Sequence, residues 1–335
     1  MRTDLVRTEM RCRMATSVIR HAERMTQRRV LRKPSQDVTR MTDYLQPVRA
    51  DDEADRRRQF TMRRIHLLLT MPPRFWAAFF ITVILAGCAS KAPELPYPAF
   101  IQVDELDDIF MASLPGVRAK QLAGDPQTRR TSNRIDLPAA WKGTSGGSPG
   151  RSLELVVLKG EMTIADMVLR PGGYAFLPAG SLGFNLATDE GAQILYFLND
   201  VDPESIIRSP IIIDSGLLRW DGTATSGIST KELRFDPGNG SRTWLLRLSA
   251  GASQQWESST VRREGYLMTG SVQHSECVAG EVHTWQYLPG GYFDRPAETI
   301  HGGAESFAII DSIWLMREVA KGETTYWPDC PLSTD

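Results

Sequence analysis

The chain has 335 residues, 41% hydrophobic and 24% charged, with 27 glycines, 20 prolines and a formal net charge of −1. That length is enough for about two compact domains. Four cysteines exclude a disulfide-dense scaffold, and the balanced composition excludes wholesale disorder. The net charge conceals a split: residues 1–70 carry 17 Lys and Arg against 9 Asp and Glu, and the remainder carries 22 against 31. An acidic body argues against nucleic acid as a partner.

Residues 1–61 scatter arginine without a sustained apolar period, as non-coding or unstructured sequence does. Phe75 to Ala86 then reads FWAAFFITVILA, an uncharged run of signal-peptide length and too short for a membrane span. It closes on Leu85-Ala86-Gly87-Cys88, which resembles the lipobox of bacterial lipoproteins. By that resemblance Cys88 is lipidated and becomes the mature N-terminus, and three acyl chains anchor the protein firmly. A signal belongs at the start of a chain, so translation is expected to begin at Met62 or Met71; the alternative is a basic cytoplasmic tail. Ala89, in place of Asp, implies sorting to the outer membrane of a Gram-negative bacterium, with the body in the periplasm. In that oxidising space Cys277 and Cys330 either pair or remain two buried thiols.

The expected organisation is a basic segment over 1–70, a signal over 71–87, and an extended tether over 88–114 with a short helix near 104–112. Two domains follow, at 115–205 and 206–330. The runs at 153–158, 193–198, 243–249 and 306–316 are apolar and of strand length, bounded by Gly, Pro, Asp and Ser, so the body is expected to be all-β. An internal repeat supports the division. PGGYAFLPAGSLG (171–183) and PGGYFDRPAETIH (289–301) agree at six of thirteen positions, and Glu154 to Gly160 answers Glu264 to Gly270 upstream.

These segments resemble the cupin superfamily. The second cupin motif, G-(x)5-P-x-G-(x)2-H, is met by Gly172, Pro178 and Gly180, with Gly183 at the histidine position. It is met again by Gly290, Pro296 and His301, with Glu298 at the second glycine. The first motif, G-(x)5-H-x-H-(x)3-4-E-(x)6-G, is answered by Gly147, Pro149, Glu154 and Gly160, and by Gly251, Glu257, Ser259 and Glu264, with Gly270 one residue early. The resemblance implies a tandem cupin, two jelly-roll barrels of which the first is degenerate.

It further implies that a divalent metal (Fe, Mn, Zn or Ni) in the second barrel would use Glu257, Glu264 and His301. The alternative is a decayed site in which Glu264 and His301 bond to each other or to a ligand. Trp256, Tyr266 and His283 are candidates for a ligand pocket, set against simple core packing. No G-x-S-x-G, P-loop, H-E-x-x-H or CxxC motif is present. Two functions compete: a membrane-anchored periplasmic protein that binds a small molecule or has a structural role, and a metal-dependent enzyme of dioxygenase or isomerase type. A homodimer is a further expectation.

Overall fold

The computed structural model describes residues 91–146 and 148–331; the signal segment, Cys88 and Gly147 lie outside the described residues. Among the described residues the regular structure is β-strand, with single 3-10 turns at Val103–Glu105 and Ser215–Leu217. The helix expected near 104–112 does not form. Tertiary pairing claims its backbone instead: the Ile109 N–H donates to the Ala119 carbonyl at 2.7 Å, and Asp104 meets Arg134 at 2.6 Å.

Strands between 118 and 213 build two antiparallel sheets. One has six strands in the order Ile211–Ile213, Tyr174–Leu177, Arg151–Gly160, Ala192–Asp200, Arg130–Leu137, Arg118–Asp125. The other has four, in the order Lys142–Gly146, Gly183–Ala187, Met162–Ile164, Met167–Leu169. Ile211–Ile213 pairs with Tyr174–Phe176, so the division expected at 205/206 falls before the last strand of this part of the chain.

The six-stranded sheet is buried on both faces, which is why its central runs are continuously apolar rather than alternating. Leu153, Leu155, Val157, Ile194 and Tyr196 pack toward the four-stranded sheet. Their neighbours Val156, Leu195 and Phe197 pack the other way, against Leu233, Leu245, Tyr266, Tyr292 and Leu315 of the C-terminal sheet. Period-two alternation thus gives one strand two cores.

The C-terminal sheet has eleven strands and curls on itself. Its spine is the 16-residue strand Arg263–Val278, whose register against Phe307–Glu318 shifts three times between Leu267 and Val272. Bulges bend a strand. Here the first half pairs with Gly291–Arg295 and the second with Glu281–Tyr287. Gly270 sits at the bend with φ of +97°, and a Cβ there would stand 2.1 Å from Ser312 Oγ. The inner face holds a third core of Trp244, Leu267, Tyr287, Phe293, Trp314 and Met316. The described end of the expected tether is docked, not free: Ala99 and Phe100 join that core, and Ile101–Gln102 adds to the sheet by pairing with Gly291 and Tyr292. Cys277 and Cys330 form a disulfide, with a Cα separation of 5.6 Å.

The backbone keeps one motif requirement after the residue has changed. Gly180 has φ of +75°, and Glu298, at the matching position of the second repeat, adopts +63°. A non-glycine side chain in that region is strained.

Candidate ligand cavity

The curl encloses a cavity of about 540 Å3. Alternation decides which side chains reach it. From Arg242–Leu248 come Arg242, Trp244 and Leu246; from Phe307–Glu318, Trp314 and Met316; from Gly291–Arg295, Phe293 and Arg295. Arg263 comes from the start of the long strand and His274 from beyond its bend.

A chain of ionic contacts crosses the polar side. Arg242 Nε donates to Glu318 at 2.6 Å, and Arg263 donates to Glu318 at 2.9 Å and to Glu257 Oε1 at 2.7 Å. Glu257 stands directly opposite His301 in the ladder, with His301 Nε2 3.5 Å from its Oε1. On its other side His301 faces Glu276, which accepts from Arg295 Nε and Nη2 at 2.6–3.1 Å and from the Tyr97 hydroxyl at 3.1 Å. The His274 ring lies 5.7 Å from that of His301, and its buried Nε2 has no hydrogen-bond partner.

Burial pushes His274 well below the usual histidine pKa, and the Arg295 and His301 charges add to it. His301 is also lowered, by burial and then Arg295, with its bond to Glu257 opposing. Burial thus favours the neutral form of both imidazoles, while His301 sits between two acceptors, the Thr299 carbonyl 3.1 Å from Nδ1 and Glu257 Oε1 3.5 Å from Nε2. Burial works against the charged form of Glu257, but its bond to His301 and the Arg263 guanidinium outweigh it and hold the carboxyl at about 2.

Of the residues expected to bind metal, Glu257 and His301 are brought together and Glu264 is not. Glu264 is on the outer face of its strand, where it accepts from the Tyr292 hydroxyl at 2.5 Å and from Arg317 Nη1. The expected bond between Glu264 and His301 is therefore also absent. Glu257 and Glu276 already hold guanidiniums, and among the described residues no three His, Cys, Asp or Glu side chains converge as a metal site. The donor set as arranged does not fit a divalent ion.

Of the expected pocket residues, none lines the cavity. Tyr266 is buried on the outer face in the core shared with the six-stranded sheet. Trp256 stands against Gly303 and pairs with Trp327. His283 pairs with Glu276 in the ladder and is half-buried. The lining residues that the motif reading left out are Arg242, Arg295, Phe293 and Trp314. Three of the four share a signal, an arginine two residues from an aromatic on one strand: Arg242 with Trp244, and Arg295 with Phe293.

Residues 113–318 match the family described as "Domain of unknown function (DUF4437)". No curated protein matches the chain. Solved structures do. A Nostoc punctiforme protein provisionally described as a dioxygenase superposes with a TM-score of 0.56 at 20% identity, covering 70% of this chain and 89% of that one. Protein Ylba of E. coli, of family DUF861, gives 0.55 at 17%, covering 69% and 94%. Bacillus subtilis oxalate decarboxylase, a protein with Mn(II) centres, gives 0.52 at 10%, covering 70% and 81%. At these identities the likeness is one of fold, and the fold is all-β and cupin-like.

Proposed function

The chain belongs to the DUF4437 family, and from that premise we propose that it is a small-molecule-binding protein whose ligand occupies the cavity of the C-terminal sheet. The observation that carries this reading is His274 Nε2, a buried polar atom without a hydrogen-bond partner, 4.0 Å from Glu276 Oε1, on the wall of a 540 Å3 cavity. A buried unpaired polar group costs about 1–3 kcal/mol, and a ligand that bonds to it recovers that cost. Ligand cavities of about 300–1,000 Å3 with apolar walls and a few convergent polar groups are typical.

The chemistry of the wall favours a neutral, hydroxyl-bearing molecule. The three arginines Arg242, Arg263 and Arg295 are matched by Glu257, Glu276 and Glu318, and burial keeps His274 uncharged. The Arg242 and Arg295 guanidiniums lie over the Trp244 and Phe293 rings, Trp314 and Met316 give the wall apolar surface, and Thr223, Thr225, Gln254 and Gln255 offer hydrogen bonds. Tryptophan fluorescence titrated with neutral sugars and polyols tests this. Saturable quenching that weakens about tenfold in His274→Phe and Glu257→Gln is expected. No response to any neutral hydroxylated probe, or unchanged binding in both variants, would overturn it.

The protein carries this site in the periplasm, anchored to the outer membrane through Cys88. The Leu85 to Cys88 motif and the Cys277–Cys330 bond support that placement, since disulfides persist in oxidising compartments. The two repeats descend from one cupin unit, the first now serving as a packing partner for the second. The second reading is a metal-dependent enzyme; among the described residues no three His, Cys, Asp or Glu side chains converge to hold its metal.

A further inference from the structure

Where the six-stranded sheet meets the curled sheet, a second cavity of about 780 Å3 opens beside Arg317, with Arg130, Ser152 and Phe176 on one side and Arg234, Ser241 and Arg262 on the other. Most charged groups around it are engaged. Glu154 accepts from Arg234 at 2.6 Å and from Arg317 at 2.7 Å, and Glu264 accepts from Arg317. Asp294 accepts from Arg262 through both oxygens. Asp236 and Asp202 hold loop groups: Ser205 and two backbone N–H groups bond to the first, Asn239 and the Glu204 N–H to the second.

Among the buried arginines around the cavity, Arg130 is the most weakly held, with a single ion pair to Asp294 and no hydrogen bond. Its side chain is 9% exposed, and its Nη2 is buried without a hydrogen-bond partner, 3.7 Å from an Asp294 oxygen that Arg262 already occupies. A buried guanidinium normally finds a bonded anion, because leaving a charged donor unpaired in the interior is expensive. Burial also pulls its pKa below the usual arginine value, with Glu264 opposing.

We infer that this cavity is a binding site for a small carboxylate carrying a single negative charge, seated on Arg130. The limit to one charge follows from the rest of the lining: Asp125, Asp200, Asp202, Asp236 and Glu318 face the same space and repel a second anionic group, against one exposed cation at the rim, Arg208. Ile207 and Val319 give an apolar remainder a surface to lie on. The site opens on a different side from the C-terminal cavity, and Glu318, which holds Arg242 and Arg263 there, is the residue the two have in common.

Saturation-transfer NMR with propionate as the probe, and succinate as its doubly charged counterpart, tests the inference on the full chain. Propionate should bind saturably and more tightly than succinate. Arg130→Gln should weaken it about tenfold, Arg130→Lys should retain most of it, and His274→Phe should leave it unchanged. Should Arg130→Gln lower Tm so far that it cannot be read, Ser152→Trp fills the cavity without touching the ion pairs and should abolish binding. Absence of saturable propionate binding, equal binding in Arg130→Gln or Ser152→Trp, or tighter binding of succinate would overturn the inference.

Discussion

Glu154 and Glu264, at matching places in the two repeats, bind the same guanidinium: Arg317 donates Nε to Glu154 and Nη1 to Glu264. The contact joins the six-stranded sheet to the curled sheet, with Arg234, Thr243 and Tyr174 completing the bonds to Glu154. Removing one partner of a buried ion pair costs about 3–5 kcal/mol. Glu154→Gln should therefore lower Tm by roughly 6–20 °C, and Arg317→Met should lower it further because it strands two carboxylates. Calorimetry of the single and double variants should show strong non-additivity. Additive effects would mean that the two glutamates are not coupled.

Acid stability follows from the same cluster. Burial alone would raise the Glu154 pKa, but Arg234 and Arg317 bring it from an ordinary 4.5 down to about 2, as Arg263 and His301 do for Glu257. A carboxylate depressed in the folded state stabilises it fully above the unfolded pKa and loses that contribution as pH falls through the folded one. Stability should drop between about pH 4.5 and 2, and Glu154→Gln should flatten this limb of a Tm–pH curve.

The histidines act in a higher window. His274 and His301 are depressed below 6.5, so the unfolded chain takes up protons there before the folded chain does. Stability should fall below pH 6.5 by about 1.4 kcal/mol per pH unit for each histidine until its folded pKa is reached. His274→Phe should halve that slope. At pH 7 it should be no less stable than the parent, since it removes an unpaired buried atom. A loss of several degrees in Tm at pH 7 would contradict this.

The disulfide spans 53 residues, for which chain entropy gives about 4 kcal/mol. Thr324–Trp327 just before Cys330 pairs with Trp256–Ser259, the strand that carries Glu257. Replacing both cysteines by serine should lower Tm by roughly 8–16 °C and weaken ligand binding in the C-terminal cavity. Unchanged binding would show that the cavity does not depend on this closure.

Metal analysis of purified protein grown with mixed first-row metals should find far less than one ion per chain. Near-stoichiometric metal that disappears in His301→Ala would restore a metal-dependent reading centred on that residue.

The sheet architecture was legible because its cause is local: apolar runs of strand length between turn residues. The repeat was legible because the turns retain their residues. The site was legible only in part, and Gly270 shows why. Counting back from it by the six-residue gap of the first cupin motif leads to Arg263, not Glu264. Arg263 is the side chain that faces the cavity, and Glu264 faces away. The same count from Gly160 leads to Leu153, which packs into the first core. Matching by residue type selected the glutamates; matching by spacing selects the inward positions. Glu276 and the docking of Tyr97 had no such handle, because their meeting joins residues 179 positions apart.

Both ends of the described chain are fastened to the same stretch of sheet. Tyr97 reaches Glu276 and Ile101 pairs with Tyr292, while Cys330 is bonded to Cys277. A pull between residues 97 and 330 would run through the long strand and the walls of the C-terminal cavity. The sandwich formed by residues 118–213 lies off that line of force. Tension along the chain would therefore strain the ligand cavity first and reach residues 118–213 only after the Tyr97 and Ile101 contacts give way.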